Sequence, residues 1–220
     1  MLKRNTSSKK FALTVGIGIL GVALLVIGGL GIWDYYTVTN TGTTVPTNET
    51  VTETKTVSEK PVVVSDAAFA VSADQPRVIQ IPSLGIEGYI QRVGIDRSGA
   101  MSTPNNINFA GWYVKNPAPG KSGVSIINGH AGGRYTNGIF KYIGRLKEND
   151  IIRIQMGDLS WREFSVTSVK SYPVGESAGP LFADDPMIEK ELHLITCDGV
   201  FDDTTQSYDL RTIVVAKYLP

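Results

Sequence analysis

The sequence predicts an all-β domain, a sandwich or a barrel, held behind one membrane-spanning helix. Three observations carry that prediction. Short apolar runs recur from about residue 76 to the C-terminus, with turn residues between them. An uncharged run from Phe11 to Trp33 precedes them. Between the two lies a Thr-rich stretch with little apolar periodicity.

Residues 1–10 carry Lys3, Arg4, Lys9 and Lys10. The run that follows, 11–33, crosses a bilayer core of about 30 Å at about 1.5 Å per residue. It exceeds the ~7–15 residue apolar core of a cleaved leader, and no Ala-x-Ala site follows. Cations before the span and Asp34 as the first charge after it predict a cytoplasmic N-terminus and an outer domain. Residues 34–75 read as a tether, with Pro46, Pro61, Asn40, Asn48 and scattered charges. Residues 76–220 are enough for one domain with one core.

Within that domain the predicted strands are 77–81, 86–93, 124–127, 151–156, 161–169, 192–197 and 212–218. Pro82, Asp96-Ser98-Gly99, Asn128-Gly129 and Gly157-Asp158 separate several of them. Asp198-Gly199 is expected to end the strand 192–197. One helix is expected after Asn137 as N-cap, because Ile139, Phe140, Ile143 and Leu146 fall on one face.

Lys+Arg and Asp+Glu are both 21, so no basic surplus points to nucleic acid. With two His and one Cys, a structural zinc site would need carboxylates to complete it. No phosphate-cradling glycine motif is present.

The lone cysteine, Cys197, stands in Leu192-His193-Leu194-Ile195-Thr196-Cys197-Asp198-Gly199. Outside the cell an unpaired thiol flags a reactive role, although a small buried hydrophobe or a bridge between chains fits the residue too. A nucleophilic thiol needs a base and a stabiliser for the oxyanion. His193 lies four strand residues away, roughly 13 Å, too far for direct proton transfer, and reads as structural or surface. His130 sits among Gly129, Gly132 and Gly133, which suits a tight path beside a cleft or an ordinary solvated loop. Arg211 opens the last strand, where it reaches a carbonyl or pairs with Asp202, Asp203 or Asp209.

Together these features resemble the sortases, cysteine transpeptidases of the Gram-positive cell surface. The resemblance covers about 76–220. It rests on Ile81-Pro82-Ser83-Leu84-Gly85-Ile86, on Gly94-Ile95-Asp96-Arg97-Ser98-Gly99 followed by Pro104, and on Asn128-Gly129-His130. Gly138-Ile139-Phe140, Leu194-Ile195-Thr196-Cys197 and Tyr208 to Ala216 complete it. Gly111-Trp112-Tyr113 with Pro119-Gly120 and Gly123 is similar to the class F or class E branch. Two departures stand out. Leu192-His193 occupies a place where the family often has Thr-Leu, and Arg211 lies two residues beyond the position where that branch often has its Arg.

The resemblance implies a closed eight-stranded β-barrel with one or two short helices. It implies Cys197 as nucleophile, His130 as general acid/base and Arg211 as the group that holds substrate and oxyanion. The implied reaction cleaves a Leu-Pro-x-Thr-Gly-type sorting signal between Thr and Gly and passes the protein to a cell-wall or pilin amine, with no metal or organic cofactor. The segment 173–186 is the expected groove wall. A competing reading is a membrane-tethered binding module, with Cys197 buried and inert and His130 far from it. An L,D-transpeptidase would need a histidine where Ile195 stands.

Overall fold

The computed structural model describes residues 57–65 and 69–220. The basic segment 1–10, the predicted span 11–33 and tether residues 34–56 lie outside the described residues. Among the described residues no helix is long and apolar enough to cross a membrane.

Eight strands close into a barrel: β1 (Pro76–Ile81), β2 (Ile86–Val93), β3 (Ala110–Tyr113), β4 (Gly123–Gly129), β5 (Ile151–Met156), β6 (Trp161–Pro173), β7 (Lys190–Asp202) and β8 (Ser207–Leu219). Around the barrel the order is β1-β2-β3-β4-β7-β8-β6-β5, with β5 returning to β1. The β2–β3 and β4–β7 pairs are parallel and the other pairs antiparallel. Closure pairs every edge, so alternation along each strand sorts side chains into an interior and an outer face.

The interior is filled by Ile79, Ile81, Ile90, Ile127, Ile152, Ile154, Phe164, Leu192, Leu194 and Val214, all at or near zero exposure. A second apolar cluster lies on the outer face of the wall, where Val124, Ile126 and Ile213 meet Leu181. Leu181 belongs to α1 (Ala178–Phe182), in the β6–β7 connection. That loop therefore covers part of the outer face of β4 and β8.

Four expectations change. The strand β3 was not foreseen, being four residues of Ala-Gly-Trp-Tyr with no alternation to announce it. The expected helix after Asn137 is a set of tight turns that ends in a short 3-10 helix, Ile143–Arg145. Its bonds run from Lys141 N to Gly138 O, from Arg145 N to Tyr142 O and from Leu146 N to Ile143 O, each three residues back. Phe140 N instead donates to His130 O and Ile139 N to Ile107 O, which diverts the start. Phe140, Ile143 and Leu146 are nevertheless buried, as their spacing implied.

Asp198-Gly199 does not end its strand. Gly199 takes φ 82, Val200 N donates to Asp209 Oδ1, and β7 runs on to Asp202 past a register shift. The positive φ makes this a bulge that glycine tolerates and other residues resist.

The described residues read as tether, 57–65 and 69–75, lie along the barrel. Phe69 is buried and stacks on Tyr89 at 4.8 Å between ring centroids. Buried Arg77 donates to Phe69 O and Ser65 O at 2.8 Å each. The backbone of Ser58 pairs with the segment before β3, where Ser58 N donates to Asn105 O and Ile107 N to Ser58 O.

Candidate active site

Strand pairing alone sets Cys197 and Arg211 side by side. They are direct partners in the antiparallel β7–β8 register, and opposed residues in such a pair share a face. Alternation places Cys197 on the face of Ile195 and His193, the outer face walled by the β6–β7 loop.

His130 arrives from the other side. The parallel β4–β7 register runs to Asn128↔Ile195. Continued two residues, it sets His130 beside Cys197. Thr196 fixes this junction, because its buried Oγ1 donates to Gly129 O at 2.9 Å. On that extended register His130, just past the end of β4, falls in line with Cys197 on β7 and Arg211 on β8, where neighbouring strands lie about 4.8 Å apart. The loop after His130 folds back closely. Gly138 lies against the His130 backbone, and a Cβ at Gly138 would overlap the His130 carbonyl.

One hydrogen bond sets the imidazole tautomer. His130 Nε2 lies 2.8 Å from Pro104 O. A carbonyl only accepts, so Nε2 carries the hydrogen and the neutral ring keeps its lone pair on Nδ1. Burial pushes His130 below the ordinary imidazole value, against the opposing effect of the Pro104 carbonyl. Burial likewise pushes the Cys197 thiol above its ordinary value, and the Arg211 cation offsets only part of that. Both displacements favour the neutral forms, a thiol at Cys197 and an imidazole at His130.

Arg211 is held by its own strand. Nη1 donates to Tyr208 O at 3.0 Å and to Leu210 O at 2.8 Å, and Nη2 to Ser207 Oγ at 3.3 Å. These contacts use three of the five guanidinium donors. Two of the three carboxylates that competed for it, Asp202 and Asp209, are engaged elsewhere. Asp202 accepts from Thr204 and Thr205, and Asp209 accepts from Val200.

Two residues at the site, Pro104 and Asp198, were given no role there by the sequence reading. Pro104 supplies the carbonyl that sets the His130 tautomer. Asp198 Oδ2 accepts from Thr212 Oγ1 at 2.6 Å and from Ser171 Oγ at 3.1 Å, tying β6, β7 and β8 together beside Cys197. The Thr212 hydroxyl bond is the main cause that holds its carboxyl below the usual range. His193, read as structural or surface, is 1% exposed. It bonds Leu181 O through Nδ1 at 2.8 Å and Glu191 Oε2 through Nε2 at 2.7 Å. Its unusual place in the motif was the available signal. Among the described residues no group of His, Cys, Asp and Glu is arranged to hold a metal ion.

Comparison with known proteins agrees with this fold. The Sortase domain family model matches residues 79–219. Sortase C1 of Streptococcus agalactiae is similar at 17% identity and TM-score 0.53, covering 69% of this chain and 70% of that one. Sortase A of Listeria monocytogenes is similar at 21% identity and TM-score 0.50, covering 68% and 89%. A Clostridium perfringens sortase D5 transpeptidase is similar at 19% identity and TM-score 0.50, covering 69% and 82%. At these identities the structural likeness shows the fold. These neighbours carry class A, C and D names and do not specify the class F or class E branch. No curated protein sequence matches significantly.

Proposed function

The chain belongs to the sortase family, whose domain model matches residues 79–219, and on that premise we propose that it is a membrane-anchored cysteine transpeptidase. Its substrate is a Leu-Pro-x-Thr-Gly-type sorting signal, cleaved between Thr and Gly, and its acceptor is a cell-wall or pilin amine. The span 11–33 holds the enzyme with its N-terminus in the cytoplasm and the barrel outside, next to both substrates. The observation that carries the reading is the His130–Cys197–Arg211 row on the outer face beside the β6–β7 loop.

In the first half-reaction the Cys197 thiol passes its proton to His130 Nδ1 and Sγ attacks the Thr carbonyl carbon. The carbonyl oxygen takes up negative charge, and Arg211 donates to it. The tetrahedral intermediate collapses with loss of the Thr–Gly C–N bond. His130 gives the proton from Nδ1 to the departing Gly amine, leaving a Cys197 thioester. In the second half an acceptor amine attacks the thioester, His130 Nδ1 takes its proton, and the thiolate leaves. The new amide replaces the old one, so no energy source beyond the peptide bond is required.

The two pKa displacements fix the pH dependence. The productive thiolate–imidazolium pair has the same proton count as the resting thiol–imidazole pair. Activity therefore rises as pH passes the depressed His130 value and falls as pH passes the raised Cys197 value. With the full-length chain, a quenched sorting peptide and a glycine-based amine, kcat/KM is expected to give a broad bell. Its limbs should lie outside the ordinary imidazole and thiol values. No cleavage across a panel of sorting signals would overturn the assignment. Fast thiolate alkylation on the acid side of the bell would overturn the protonation scheme.

A further inference from the structure

His130 is held from two directions, and both lead to the same short piece of the tether. On one side its Nε2 bonds Pro104 O. The residues just after Pro104 are laced to the tether. Ser58 N donates to Asn105 O at 2.8 Å, and Ile107 N donates to Ser58 O at 2.8 Å. Asn106 Nδ2 and Asn108 Nδ2 both donate to Lys60 O at 3.2 Å.

On the other side lies the loop 131–138. It is tied back by Gly138 N to Ala131 O and by Gly133 N to Thr136 O. Its tip presents three successive backbone N–H groups to one carboxylate. Glu59 Oε1 accepts from Arg134 N at 2.7 Å, and Glu59 Oε2 accepts from Tyr135 N, Thr136 N and Thr136 Oγ1 at 3.1 Å each. Successive N–H groups of this kind form an anion nest, here filled from within the chain. Gly133 lets the carboxylate approach, since a Cβ there would meet Glu59 Oε1. Desolvation raises the Glu59 carboxyl value, but the bonds from Arg134, Tyr135 and Thr136 outweigh it and hold the group below its usual range.

We infer that tether residues 58–60 are a clasp for the active site and that Glu59 is a positioning residue for His130. The clasp ties the segment that fixes the His130 tautomer to the loop that carries the chain away from His130. Releasing Glu59 frees one of those two holds, so the imidazole samples positions beside Cys197 instead of keeping one. Binding of the sorting signal lies with the groove under the β6–β7 loop and does not use the clasp. The inference rests on the reading of His130 as general acid/base.

The test compares the full-length chain with Glu59→Ala, Glu59→Gln and Glu59→Asp. The expected result for Ala and Gln is a fall in kcat of about 10- to 100-fold, the scale of a misplaced catalytic group. KM for the sorting peptide and the melting temperature should be unchanged, and Glu59→Asp should recover part of the rate. A second readout needs no turnover. The chain has only two histidines, so a His130→Gln variant assigns the His130 ring signal by NMR. That signal is expected to move and broaden in Glu59→Ala, with an altered titration midpoint, while the His193 signal stays in place. Unchanged kcat, or a change confined to KM, would overturn the inference. So would a His130 signal identical in wild type and Glu59→Ala. If the wild type cleaves no sorting peptide, the proposed function fails and the ring signal still decides whether Glu59 positions His130.

Discussion

Replacing Cys197 by alanine is expected to lower kcat/KM for a sorting peptide by about 10⁴-fold or more. His130→Ala should cost a similar amount, and the double variant little more than either alone. The reason is that the thiol and the imidazole act as one unit. Without His130 the thiol, pushed up by burial, is rarely ionised near neutrality and the leaving amine has no proton source. Without Cys197 the imidazole has no nucleophile to serve. Arg211→Ala should cost about 10²- to 10³-fold, the scale of one lost oxyanion donor, and should move the basic limb of the pH profile further up, because the cation that favours the thiolate is gone. Steady-state kinetics of the three single variants and the double variant check this. Effects of Cys197→Ala and His130→Ala that simply multiply would show the two acting independently.

The largest effect on stability is expected at Glu191 and His193, far from any reacting atom. The two are 2% and 1% exposed and 2.7 Å apart. Each also holds the β6–β7 loop: His193 Nδ1 donates to Leu181 O and Glu191 Oε1 accepts from Asp185 N at 2.7 Å. Removing one partner leaves the other buried without its counterpart. Glu191→Ala or His193→Ala should therefore destabilise the barrel by ~3–5 kcal/mol, or roughly 10 °C in melting temperature for a domain of this size. Replacing both with apolar residues of similar volume should recover most of that loss. In the single variants the loop that walls the groove loosens, so KM for the sorting peptide rises while Cys197 remains alkylatable. Melting curves with single variants within about 1 kcal/mol of wild type would contradict this.

Legibility in the sequence followed the range of the interactions. Strands with a period of two, such as Ile151 to Met156, declare themselves because alternation is local. Cys197 stood out by rarity, whereas Arg211, expected to open the last strand, lies inside β8, which already begins at Ser207. The β3 strand stayed hidden because four residues with a central glycine carry no period. The turns at 138–146 looked helical because residues spaced by three and four suit either kind of helix. What separates them is a pair of bonds, to His130 O and Ile107 O, that no local pattern encodes. Gly199 read as a strand end because a bulge and a turn ask for the same residue. Glu59 was invisible for a stronger reason: its partners lie about 75 residues on, and nothing in a Thr-rich tether announces them.

The central claim is that Cys197 forms a thioester with the Thr of a sorting signal. Intact-mass spectrometry of the full-length chain, incubated with a Leu-Pro-x-Thr-Gly peptide and no acceptor amine, tests it most directly. The expected spectrum shows an adduct of the peptide up to Thr on wild type, mapped to Cys197, discharged by a glycine-based amine or hydroxylamine and missing from Cys197→Ala. A wild-type spectrum without adduct, with Cys197 also resistant to alkylation in the folded protein, would contradict the claim and leave a sortase-fold domain that binds without catalysing.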